Sequence, residues 1–257
     1  MEWAEEAIVL AARRHGESDA IAAVLTHGHG RCAGLVRGGA GRRHGPAFQP
    51  GNRIAARWRA RLESQLGTLS GELVHAAAAR FLDDPDRLAA LAAAAAVADL
   101  ALPEREPHPL AFEGLSALLA ALEAGEGWQA RYVRWEVDLL AELGFGLDLW
   151  SCAATGVTED LIHVSPRSGR AVSRAAGAPY AGRLLPLPGF LRGEGEATPS
   201  AVGDGLRLTG HFLDAHVFQA IGRPIPEARL RLVDRLARAS TMGGSRTPEP
   251  PQNLRDA

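Results

Sequence analysis

The sequence predicts an α+β protein in which a small β-barrel precedes a helical domain carrying a short β-hairpin insertion. Three observations predict it. Up to about residue 75, short apolar runs alternate with glycine turns at strand spacing; from Leu88 to Leu143, leucine and aromatic residues repeat at helical spacing; and charge changes sign where the pattern changes. Residues 1–80 hold 11 arginines against 7 carboxylates (+4), residues 81–150 hold 4 against 13 (−9), and residues 151–257 hold 13 against 10 (+3). The net charge of −2 therefore conceals a basic first module followed by an acidic one.

A chain of 257 residues is long enough to bury a full core without disulfides or metal. Two cysteines, Cys32 and Cys152, are too few for a secreted disulfide framework and fit a reducing compartment, so a cytoplasmic location is expected. Met1 to Ala12 contains three glutamates and no signal-peptide core. The alanine-rich stretch Leu88 to Leu102 is interrupted by Asp99 and too weakly apolar to span a bilayer, so no membrane partner is expected. All 28 basic residues are arginine, which a composition bias of the genome explains in the main, although the planar fork also suits phosphate.

Glu6 to Ala12 reads as a buried strand, and Gly16 turns it back into a second run, Asp19 to Thr26. His27-Gly28-His29-Gly30 makes the next turn, with both histidines read as solvent-facing, and Arg31 to Arg37 forms a third strand. Gly38 to Gly45 has the composition of a mobile loop, whose glycines bring backbone close to a ligand while Arg42, Arg43 and His44 supply donors. It lacks the lysine and following helix of a nucleotide-cradling P-loop. Along Asn52 to Leu62, a period of two turns Ile54, Ala56, Trp58, Ala60 and Leu62 inward and Arg53, Ala55, Arg57, Arg59 and Arg61 outward. Leu66 to Val74 completes five strands, which suits a Greek-key barrel of OB type over residues 1–78.

The helical domain is expected over residues 79–241. Asp83-Asp84-Pro85-Asp86 caps a helix running to about Leu102. After Pro103, Pro107 and Pro109 a second helix carries Phe112, Leu115, Leu118, Leu119 and Leu122, and a third carries Trp128, Tyr132, Trp135, Leu139 and Leu143. A β insertion occupies about residues 145–188, with a hairpin from Leu161 to Ser173 turning at Pro166 to Gly169. Helices at Thr209–Ile221 and Glu227–Ala239 close the domain, the last with Arg229, Arg231, Arg235 and Arg238 on a solvated face. Residues 242–257 read as a disordered tail.

No residue in the basic module is an obvious catalyst, and the barrel's outer arginines read as a surface for phosphates. Two other readings stand beside this one. A metal-dependent nuclease would draw on Asp83, Asp84 and Asp86, where a helix cap is expected. An RNA-binding barrel module would need only a contact to the 2′-hydroxyl. The insertion has the look of a metal knuckle, yet Cys152 is followed at the CxxC position by Thr155 and no second cysteine pair exists, so no zinc and no other cofactor is expected.

Several runs in fixed order resemble the RecO recombination mediators. They are Glu6-Ala7-Ile8-Val9-Leu10, Arg14-His15-Gly16-Glu17, Gly34-Leu35-Val36-Arg37-Gly38, Gln49-Pro50-Gly51, Trp58-Arg59-Ala60-Arg61 and, in the insertion, Asp160 to Ser173. The resemblance covers nearly the whole chain. It implies an OB-fold followed by a helical domain, a non-enzymatic protein of DNA repair and homologous recombination associated with the nucleoid, binding to single- and double-stranded DNA, and strand annealing. It also implies partnership with RecR and with the C-terminal tail of single-stranded DNA-binding protein (SSB), and through them help in loading RecA. Matching positions carry DNA contact to Arg37, Arg42, Arg43, Arg57, Arg59 and Arg61. Where many members of the family hold zinc by four cysteines, this chain has Cys152, Thr155, Ser173 and Ala176.

Overall fold

A computed structural model describes residues 1–62 and 65–243. Strands β1 (Glu2–His15), β2 (Asp19–Thr26), β3 (Gly30–Val36), β4 (Arg53–Arg59) and β5 (Thr68–His75) close a barrel in the order β1-β2-β3-β5-β4. Every pairing is antiparallel except that of β3 with β5, which is parallel and made through Leu35 opposite Thr68. This is the Greek-key order expected of an OB barrel. Its interior is filled by alternate residues, among them Ala7, Val9, Val24, Ile54, Trp58 and Leu69.

β1 is longer than its apolar run because Glu2 to Glu6 also pairs with β4, with Glu2 opposite Arg59 and Ala4 opposite Arg57. At its centre Ala7, Val9, Ile8 and Leu10 are all buried. Ala7 and Val9 point into the barrel, while Ile8 and Leu10 belong to the core of the helical domain. A strand buried on both faces reads as a continuous apolar run. The bulge between Val9 and Ala11 accompanies this double duty. Next to it Gly51 (φ +85°) lets the chain touch the first helix, since a Cβ there would lie 2.4 Å from Leu91 Cδ1.

The helices follow as α1 (Pro85–Ala101), α2 (Pro109–Ala124) and α3 (Trp128–Glu142). Asp84 caps α1 by accepting from the amides of Asp86 (3.2 Å) and Arg87 (3.0 Å). The insertion contains β6 (Leu161–Val164), β7 (Ala171–Ser173), the single turn α4 (Arg174–Gly177) and a third strand, β8 (Leu185–Pro186), in the order β7-β6-β8. The hairpin is as expected; β8, at two residues, is too short to announce itself. α5 (Pro199–Phe212) begins well before the expected Thr209, its amide end capped by Thr198 Oγ1, and runs on into a π-helical turn at Leu213–Phe218. Glycines 203, 205 and 210 weaken its helical signal, but Gly205 brings α5 against α3, where a Cβ would meet Val133 Cγ1 at 2.7 Å. α6 (Glu227–Gly243) closes the domain on α1. It includes the first two residues of the expected tail, whose remainder, 244–257, lies outside the described residues.

Two readings of side-chain exposure are corrected. Leu62 is exposed because β4 ends at Arg59, before the inward alternation reaches it. Arg229 is not on a solvated face but 2 % exposed, gripping the fully buried Glu136 of α3 through Nε (2.7 Å) and Nη2 (2.8 Å). Nη2 also donates to the Leu206 carbonyl (2.9 Å) and the Thr209 hydroxyl (3.1 Å). Burial opposes the charge on Arg229 and the Glu136 carboxylate outweighs it, holding the guanidinium protonated. Arg229→Ala strands Glu136 in an apolar core and is expected to cost about 3–5 kcal/mol in urea unfolding, whereas replacing both partners by methionine costs distinctly less.

Candidate nucleic-acid interface

The outward side chains of β4 form the centre of the basic surface. Arg57 and Arg59 are exposed, with β1 on one side and β5 on the other, where Ser70 lies opposite Arg57 and Thr68 opposite Arg59. Arg61 follows the end of the strand and Arg37 follows the end of β3, both exposed. Two adjoining hollows that share Arg37 and Thr68 run over this face. One, of about 990 Å³, is lined by Arg37, Arg59 and Arg61; the other, of about 800 Å³, by Arg37, Arg57 and His44. Four of the six expected arginines thus line two adjoining hollows, which Glu2, Glu5 and Glu72 also line.

Arg42 and Arg43 line neither hollow. They stand exposed on the glycine loop that leads from Arg37 to His44. That loop is folded into successive turns rather than left open. Its backbone bonds run from Ala40 N to Ser18 O (2.9 Å), Gly41 N to Gly38 O (3.0 Å) and Gly45 N to Gly41 O (2.9 Å), and Asp19 Oδ1 accepts from Gly38 N (2.8 Å). The left-handed φ of +66° at Gly38 begins the turn.

Acidic residues on β1 temper this surface in a way the arginine pattern alone does not reveal. Glu6 Oε1 pairs with Arg53 Nη1 at 2.9 Å and removes that arginine from the basic face. Glu2 stands looser, 3.7 Å from Arg57 Nη1 and 4.0 Å from Arg59 Nε, and all three side chains are at least half exposed. Such pairs are weak in water and yield to a stronger anion. Cross-strand register is the missed signal: once Glu2 to Glu6 is a strand, alternation places Glu2 and Glu6 on the arginine face.

Trp58 lies in the barrel core, its Nε1 donating to Ala33 O (2.9 Å), with Arg105 of the loop before α2 packed over its ring. Arg105, held at a left-handed φ of 63°, donates through its amide to Arg31 O and through Nη2 to Gln65 O, both at 2.7 Å. The barrel is thereby latched to the helical domain. His29 is not a bare turn residue, since it stacks on Trp3 at 4.9 Å and pairs through Nδ1 with Glu5 Oε2 at 2.9 Å. Burial would raise the Glu5 carboxyl, but His29 and the Gly28 amide outweigh it and hold Glu5 below the usual range.

The other candidate groups have structural occupations. Asp84 caps α1 and pairs with Arg87 Nε at 2.6 Å, and Asp86 pairs with Arg235 at 2.8 Å. At the degenerate knuckle, Cys152 Sγ accepts from the Ser173 amide (3.3 Å) and donates to Ser173 Oγ (3.5 Å), which accepts from Ala176 N (3.5 Å). One thiol, two hydroxyls and a methyl group do not fit zinc. Buried Leu161, Val164 and Val172 pack the hairpin instead.

Residues 1–77 match the family described as Recombination protein O N terminal, and residues 82–240 match Recombination protein O C terminal. A protein named DNA repair protein RecO from Rhodospirillum centenum is 57 % identical over 252 residues, spanning 97 % of this chain and 100 % of the relative. Its namesake in Rhodospirillum rubrum is 54 % identical over 93 % of this chain and 98 % of the relative. Another in Caulobacter vibrioides is 54 % identical over 94 % of this chain and 100 % of the relative.

If the basic face takes a polyanion, Glu2 is its internal competitor. Glu2→Gln is then expected to tighten binding of a single-stranded oligonucleotide about threefold or more at low salt and to steepen the salt dependence by up to about 0.7 in log–log slope, measured by fluorescence anisotropy.

Proposed function

We propose a mediator's function for this chain, which belongs to the RecO family of DNA repair and recombination proteins. Its barrel holds DNA strands by their phosphates, without reading sequence and without covalent chemistry. The observation that carries this reading is the gathering of Arg37, Arg57, Arg59 and Arg61 along two adjoining hollows, with Arg42 and Arg43 on the loop beside them. Guanidinium forks spaced by two residues along a strand match a run of phosphates and displace its counterions. Screening two complementary strands on such a surface lowers their mutual repulsion and favours annealing. Handing strands on requires partners, here RecR, the SSB C-terminal tail and, through them, RecA; this part rests on the family resemblance, as does a cytoplasmic, nucleoid-associated location. Among the described residues no helix is long and apolar enough to cross a membrane.

The nuclease reading loses its carboxylates to other work, since two of the three aspartates are committed to a helix cap and to arginine partners. Labelled DNA incubated with Mg²⁺ or Mn²⁺ should remain intact. Competition between DNA and RNA of one sequence tests the choice of sugar.

With four arginines on phosphates, the log–log slope of single-strand affinity against salt should be about −3. Changing Arg57, Arg59 and Arg61 together to Ala should reduce that slope by about 2 and depress annealing while the far-ultraviolet spectrum and the melting temperature hold. Unchanged affinity and slope in a folded triple variant would sink the proposal.

A further inference from the structure

The β insertion carries charge that the barrel reading does not use. Residues 161–193 contain five arginines, of which Arg170, Arg174 and Arg192 pair with the bordering carboxylates of Asp148, Asp160 and Glu194, while Arg167 and Arg183 are not in these pairs. Arg167 stands exposed at the β6–β7 turn. Leu185 of β8 pairs with Val164 at the end of β6, which brings the exposed Arg183 to the same end of the sheet. Arg170, also exposed, closes the turn on the β7 side, where its Nε donates to Asp148 Oδ2 (3.3 Å).

Asp148 links the Arg170 side of this cluster to an indole in an unusual setting. The segment from Asp148 to Ala153 runs alongside β7 through Asp148 N to Gly169 O (3.1 Å), Ala171 N to Asp148 O (2.7 Å) and Ala153 N to Ala171 O (2.8 Å). Trp150 on that segment is 61 % exposed, whereas Trp58, Trp128 and Trp135 are buried. Its amide donates to Asp148 Oδ1 (3.2 Å), so one carboxylate positions both Trp150 and Arg170. Arg192, whose side chain is buried, backs the ring with its guanidinium carbon 5.9 Å from the centroid. A large aromatic surface left open among cations is what a single strand uses, a base on the ring and phosphates on the guanidiniums.

We propose that the insertion is a second single-strand binding surface, with a base stacked on Trp150 and its flanking phosphates at Arg167, Arg170 and Arg183. The inference rests on the mediator reading and deepens it, since one chain then holds two strands, the first on the barrel and the second on the insertion.

The test uses the full chain and an oligo(dT) strand. The variant combining Trp150→Ala, Arg167→Ala and Arg183→Ala is expected to lose about tenfold or more in affinity for a second strand and to fall in titration from two strands per chain to one. The barrel variant with Arg57, Arg59 and Arg61 changed to Ala should keep the strand-dependent quenching of Trp150 fluorescence, identified as the part absent from Trp150→Phe. Two strands per chain in the folded insertion variant, with Trp150 unquenched in the parent, would overturn the inference. So would quenching by a poly-glutamate peptide and not by oligo(dT), which would assign the surface to an acidic protein segment. The readings fail separately, because a folded barrel variant with unchanged affinity and salt slope refutes the first site whatever happens at Trp150.

Discussion

A single strand serving two cores is the constraint on which this structure depends. β1 supplies Ala7 and Val9 to the barrel and Ile8 and Leu10 to the helical domain, and it pairs with β2 along one edge and β4 along the other. Neither side of that strand faces water at its centre, so the barrel cannot turn against the helices without opening apolar surface on the strand they share. The Arg105 latch on Trp58 and the close approach of Gly51 to Leu91 reinforce the union. The basic face is consequently fixed relative to the helical domain and its insertion.

The arginine face shows what alternation does and does not reveal. The period of two along β4 was enough to assign Arg57 and Arg59 outward and Trp58 inward, because an amphipathic strand states its own orientation. Its partners were not legible to the same degree. Glu2 and Glu6 look like a polar lead-in until pairing with β4 draws them into the sheet, and the parallel contact of β3 with β5 that closes the barrel has no local signature. In the helical domain, leucine and aromatic spacing located α1, α2 and α3 closely. Most of α5 is not legible because its glycines, of which Gly205 lies against α3, disguise a helix that Thr198-Pro199 announces.

Long-range polar contacts were the least readable. Nothing near Arg229 distinguishes it from Arg231 or Arg235, and its burial follows only from Glu136, 93 positions away. The insertion presents a related case. Its hairpin is held by apolar packing and a thiol–hydroxyl contact, with no cysteine at Thr155, Ser173 or Ala176 to announce a metal.

The Glu136–Arg229 pair also bears on how the protein is made. During synthesis α3 emerges long before α6, and until then a carboxylate destined for the middle of the bundle has no countercharge. All the barrel's strands lie in the first third of the chain, but the outer face of β1 stays uncovered until the helices arrive, and Glu136 stays unpaired until the last of them does.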